Sequence, residues 1–436
     1  MKRYREALVW ILLIAAGFGL AGWLAGPGPG PDPGGDASAT EDYPPGVRFV
    51  TVALGGFRGI LADVLWLRAA QRQEEGDFFE AAQLAGWVTR LIPTYPEIWS
   101  YHAWNIAYNI GAMFPDPEDR WAWVMRGVRL LRDEGIPSNP HSAKLYWELG
   151  WMYNDKVSGR WEENPLYFRV HLAADMASVI QTGQAPAPGQ LDPATGRRLE
   201  EAGLRLTVMQ QVDALFGFLD WRIPETHAIY WAYRGKPYQD PVSRWCDRLI
   251  WTSLAEQVGG GTLYFDPARK LYVLGPRLDL AQAGVRGHRS WKLRAHTLTA
   301  TVEERFLEEA MIMLYAFGEA SSAGDARQEL AELVGVRKIE SKTHDAVLDA
   351  LAQRMEEVSP ERARQIVQGF LKRAAVWRGL GHERFAAGFV RLAELHRDVF
   401  SRVIPAGDAG RILEQWPAIV AEAQRQADST LAGEVR

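Results

Sequence analysis

The sequence predicts a mostly α-helical protein: an N-terminal transmembrane helix, an array of helical pairs, and a second helical block that carries one β-hairpin. Three observations predict it. Residues 7–25 carry no charge, apolar residues recur at three- and four-residue intervals from residue 47, and two short β-type runs flank a turn near 261–275. The 436 residues are 47% hydrophobic and 24% charged, an ordinary globular composition that excludes wholesale disorder. A net charge of -5 argues against a nucleic-acid binder, which carries a basic excess. Cys246 is the one cysteine, so an intrachain disulfide and a cysteine-rich zinc site are both excluded. Eighteen tryptophans, eleven of them before residue 162, require an architecture that says where those rings go.

As a helix, residues 7–25 (ALVWILLIAAGFGLAGWLA) cover roughly 28 Å, enough for a bilayer core. Lys2, Arg3 and Arg5 precede the run, whereas Asp32, Asp36, Glu41 and Asp42 follow it, so the N-terminus is expected in the cytoplasm and the bulk of the chain outside. Trp10 and Trp23 stand near the two ends, where amphipathic rings favour the headgroup region. Cleavage after Ala25 would put Trp23 at the minus-three position, which suits an uncleaved anchor better than a signal peptide. No Asn-x-Ser/Thr occurs, so a single-pass protein of the bacterial inner membrane with a periplasmic body is the expected location. Residues 17–22, GFGLAG, spell a dinucleotide fingerprint, but a phosphate has no place within hydrocarbon. Residues 26–46 hold twelve glycines and prolines in twenty-one positions and read as a linker.

Residues 47–180 read as helical pairs. Leu54, Phe57, Leu61, Leu65 and Ala69 share one face; Gly76 can end that helix, Phe78 and Ala81 pack the next against it, and Pro93 stops the second. Trp99 and Ala103 open another unit, whose turn is lengthened by residues 109–120 and which closes at Pro140. Tyr146, Leu149-Gly150 and Tyr153 open a third, for which residues 165–177 offer the one candidate second helix. In these positions the segment resembles the tetratricopeptide repeat, in about three irregular units. The resemblance implies a curved stack whose first helices line a concave surface, with Trp66, Ser100, Trp104, Trp147 and Trp151 pointing into it as a peptide-binding groove. Core packing is the competing use of the same rings.

Residues 181–197 are turn-rich and read as a loop before a helical domain over 198–436. A stripe from Leu199 to Phe216 precedes a new helix at Pro224. Around that start, Asp220, Arg222, Glu225 and His227 form the densest group of side chains suited to acid–base work. The simpler reading is a capped helix start, with Asp220 and Arg222 tying down the turn. A hairpin follows, with strands at 262–265 and 271–274; its preceding triple glycine leads into a strand, unlike a phosphate cradle. Cys246 beside Trp245 reads as a buried small side chain. From Thr299 the chain is helical again, with a helix start at Ser359-Pro360-Glu361 and a break at Gly379-Leu380-Gly381.

The nine histidines have no metal-ligand spacing, and the serine-hydrolase and P-loop motifs are absent. The expectation is therefore a membrane-anchored scaffold of the bacterial envelope. It would bind a protein or peptide and meet the bilayer through residues 7–25, with no nucleic acid, metal or cofactor. The rivals are an envelope enzyme centred on Asp220 to His227 and a glycan-binding module that uses exposed tryptophans.

Overall fold

Four helices among the described residues start at a side chain that satisfies a free N–H. Asp77, Asp116, Asp192 and Ser359 each accept a hydrogen bond from the first turn of the helix that follows. The computed structural model describes residues 57–159, 165–187, 191–238, 241–291, 297–335, 342–355, 358–403 and 415–433, with Gly189 and Leu293. The expected membrane span at 7–25 and the linker at 26–46 lie outside the described residues. Among the described residues no helix is long and apolar enough to cross a membrane.

Helix α1 (Phe57–Glu74) turns at Gly76, whose φ of +80° suits a residue without Cβ, and packs on α2 (Phe78–Leu91). Next, α3 (Pro96–Trp104) continues as a π-helical turn over Asn105–Ile110, and that widened stretch packs on α4 (Pro117–Leu130). A second π-helical stretch, Leu131–Gly135, extends α4, and a third, Tyr153–Val157, extends α5 (Ala143–Met152). Gly127 makes the α3–α4 crossing close, for a Cβ there would lie 2.8 Å from the Ala103 carbonyl oxygen.

The pairing then changes. Helix α6 (Pro165–Val179), expected from its sequence position to cover α5, makes only slight contact with the end of that helix. Helix α5 packs instead on α9 (Pro224–Gly235) and α10 (Ser243–Gly260), with α7 (Pro193–Glu201) and α8 (Leu206–Phe216) lying between in sequence. Gly150 permits it: a Cβ would meet Leu249 Cδ2 at 2.9 Å and the Ala228 carbonyl oxygen at 3.0 Å.

The hairpin is as expected in place and nearly in extent. Strands β1 (Thr262–Asp266) and β2 (Leu271–Gly275) pair antiparallel, with Tyr264 opposite Val273. Helices α11 (Leu278–Gly287), α12 (Thr297–Ala316), α13 (Ala320–Val334), α14 (Thr343–Met355), α15 (Pro360–Gly379), α16 (Glu383–Val403) and α17 (Trp416–Leu431) complete the chain. Helix α7 begins at Pro193, capped by Asp192, so the loop expected over 181–197 ends earlier; a single apolar cluster runs from Trp99 to Ala423 and includes residues on both sides of that segment. Trp221, Trp231, Trp251 and Trp377 are fully buried in it or beside it, and Cys246 is buried as well.

Candidate functional site

The rings of α3, α5 and α10 form a row of two stacked sets, which meet at Tyr108 and Trp151. Trp104 and Tyr108, a turn apart on α3 and its π extension, stack with centroids 5.6 Å apart and planes 15° from parallel. Trp147 and Trp151, four residues apart on α5, stack at 6.0 Å and 25°. Trp147 then meets Trp245 of α10 at 6.2 Å, and the Arg248 guanidinium lies 5.6 Å over that ring. Trp104 is 41% exposed, while Trp147, Trp151 and Trp245 are partly exposed. At the other end, Trp66 of α1 meets Tyr101 of α3 edge to face at 4.6 Å.

Polar groups hold the row from beneath. The Tyr108 hydroxyl donates to Asp155 Oδ2 at 2.9 Å, and Lys156 Nζ lies 5.6 Å from the Tyr108 ring. This bond joins the π-helical ends of α3 and α5. Burial pushes the Tyr108 hydroxyl pKa far up; the Asp155 charge and hydrogen bond add to that, and Trp151 opposes it. Asn154 donates to Ser253 at 3.1 Å and to Glu256 at 2.7 Å, fastening α5 to α10.

The five expected groove residues therefore separate. Trp104, Trp147 and Trp151 come together in the row, and Trp66 stands farther along with Tyr101 as its partner. Ser100 does not join them: it is buried, its Oγ has no hydrogen-bond partner, and it offers nothing to a ligand at the surface. Tyr108 and Trp245 belong to the row and were not foreseen. For Tyr108 the four-residue spacing from Trp104 was a usable signal, whereas Trp245 is brought in by packing alone.

The acid–base group resolves into separate structural contacts. Asp220 forms a two-pronged pair with Arg222 at 2.9 and 2.8 Å, and Arg222 also donates to the Leu263 carbonyl of β1 at 3.1 Å. Glu225 is held by both terminal nitrogens of Arg169 from α6, one at 2.9 Å. The His227 ring shares a hydrogen bond of 3.0 Å with the Trp221 carbonyl and stacks on Tyr153 at 4.9 Å. Asp220, Glu225 and His227 are all buried, each against a different element. A shared cleft, which acid–base chemistry needs, is not among these contacts. Among the described residues no group of three or more histidine, cysteine or acidic side chains could hold a metal ion.

No protein-family model matches this chain, and no curated protein matches it. The stacked rings of the row cover one face of each other, so they present edges and single faces; a sugar platform needs open, coplanar faces.

Proposed function

We propose that the chain is a scaffold of the bacterial cell envelope, anchored by residues 7–25 and binding a protein or peptide partner along the aromatic row of α3, α5 and α10. The observation that carries this reading is the half-open Trp104 at the head of two stacked sets of rings, Trp104–Tyr108 and Trp151–Trp147–Trp245, which meet where Trp151 acts on the Tyr108 hydroxyl. Aromatic side chains with two rotatable bonds lose little entropy on binding, and stacking holds these in place before a partner arrives. Half-buried pairs, Tyr108–Asp155 and Asn154–Glu256, tie α3, α5 and α10 together, so the row would act as a preformed surface. A partner would supply an apolar segment, with specificity set by the charged groups along the edge, such as Lys144, Glu148 and Arg248.

The test is site-specific photo-crosslinking in the full-length protein in its own membrane. A photoreactive residue at position 104 or 151 is expected to give the same discrete adduct, while one at the exposed Val420 of α17 gives none. Adducts that are absent at both row positions, or equal at position 420, refute the reading.

A further inference from the structure

A different part of the array carries a second site. On α2 the residues Phe79, Gln83, Gly86, Trp87 and Arg90 fall on one helical face, and among the described residues no helix packs directly over Gln83, Trp87 and Arg90, which are exposed. Trp123 and Arg126 of α4 face it across a cavity of about 510 Å³, with His102 of α3 and Ile106 and Ile110 of its π extension as the floor; Arg129 lines an adjoining cavity of about 350 Å³ that shares Arg90, His102, Ile106 and Arg126. This volume suits a small organic ligand.

The cavity is apolar at one end and basic at the other. Phe79 and Trp123 meet edge to face at 5.8 Å over Ala82, Ile106 and Ile110, and Phe79 and Trp87 are 47% and 44% exposed. At the other end stand Arg90, Arg126 and Arg129. Neighbouring arginines have carboxylate partners, Arg132 with Asp133 at 2.6 Å and Arg72 with Glu80 at 3.0 Å. Among the described residues Arg90, Arg126 and Arg129 form no ion pair; the Arg126 guanidinium rests 5.1 Å over the Trp123 ring. His102 adds a buried imidazole with no hydrogen-bond partner on Nδ1. Gly86 leaves room for that ring, since a Cβ there would lie 3.2 Å from His102 Cε1. Asp133 and Glu134 close the far side beside Arg129, which directs an anion towards Arg90 and Arg126.

We infer that this cavity binds a phosphate monoester with an aryl or acyl body. The body would lie against Phe79, Trp87 and Trp123, and the phosphate between Arg90 and Arg126. A carboxylate is satisfied by one forked guanidinium, whereas a phosphate dianion accepts from two or more, which matches unpaired arginines on facing helices. Arg90, Arg126 and Arg129 are exposed at the rim, so their charges are free to meet a ligand from solvent, and an anion seated between them relieves their mutual repulsion. A soluble ester and a lipid phosphate share this chemistry.

The test uses the full-length protein in neutral detergent, titrated calorimetrically with phenyl phosphate and with dihexanoyl phosphatidic acid. At least one is expected to bind at one per chain, and the tighter of the two identifies a soluble or a lipid source. Arg90→Gln and Arg126→Gln should each weaken it roughly tenfold or more, while Arg305→Gln, an exposed position on α12, leaves it unchanged. Trp87→Ala should weaken the ester and leave any binding of inorganic phosphate as it was. Thermal melts of the variants confirm that each is folded. The inference is overturned if neither ester binds, if both arginine variants bind normally, or if benzoate or phenol binds as tightly as phenyl phosphate.

Discussion

His227 shows how a residue with catalytic potential becomes a structural one. Burial, opposed by the Trp221 carbonyl and assisted by the Arg132 charge, lowers its pKa to about 4; burial with the charges of Arg126 and Arg90 does the same to His102. An unfolded histidine titrates near 6.5, so below that pH the unfolded chain takes up protons that these folded rings refuse. Their contribution is present above pH 6.5 and is lost as the pH falls towards 4, by about 1.4 kcal/mol per pH unit for each ring. His288 has the opposite sign. Burial disfavours its charge, but hydrogen bonds and charges from Glu303 at 2.7 Å and Glu329 at 3.0 Å outweigh that and raise its pKa. Its stabilisation is complete below 6.5 and is lost as the pH rises through the raised folded value. Urea midpoints measured on both sides of neutrality check this: His227→Gln should flatten the acid decline, and His288→Gln the alkaline one. Equal pH profiles for the wild type and both variants would contradict the assignment.

At the scale of elements, much was legible because it is local. The Ser359 cap, the Gly76 turn and the hairpin each depend on a few neighbouring residues, and each stands where its residues put it. Ala69 and Ala103 are fully buried, as small residues in an apolar helical stripe should be. The partner of α5 was not legible. Its stripe states that a helix must cover it, and any amphipathic helix of suitable length satisfies that statement. Close approach selects α9, through Gly150 against Ala228 and through Gly235, where a Cβ would lie 2.7 Å from Tyr146 Cβ. The α3–α4 crossing gives a direct test. Gly127→Ala would push a methyl group into the Ala103 carbonyl, and backbone cannot step aside, so a loss of about 1–3 kcal/mol is expected in chemical denaturation. A change within a few tenths of a kcal/mol would mean that the two backbones do not approach this closely.

For the molecule as a whole, the described residues belong to one compact unit, and its core is shared between the helices before residue 181 and those from Pro193 onward. Asn154 reaches Ser253 and Glu256 on α10, and Arg169 reaches Glu225 on α9. Separating the chain there would expose the α5 face and leave Glu225 buried without its cation, at a cost of about 3–5 kcal/mol. Fragments 47–180 and 198–436 made separately should therefore lack cooperative melts and bind a hydrophobic dye, and mixing should restore a melt. Two independent, cooperative melts from the unmixed fragments would show separate domains.

By itself the sequence determined the helical class, the caps and turns, the hairpin, and the rings available on each helical face, because each follows from spacing within a few residues. Tertiary structure decided which faces meet. It placed Trp245 beside Trp147, gave Glu225 to Arg169 fifty-six residues away, and set Arg90 across a cavity from Arg126. Contacts of this kind depend on shape and close packing between distant segments, and a stripe of apolar residues records only that a partner is required.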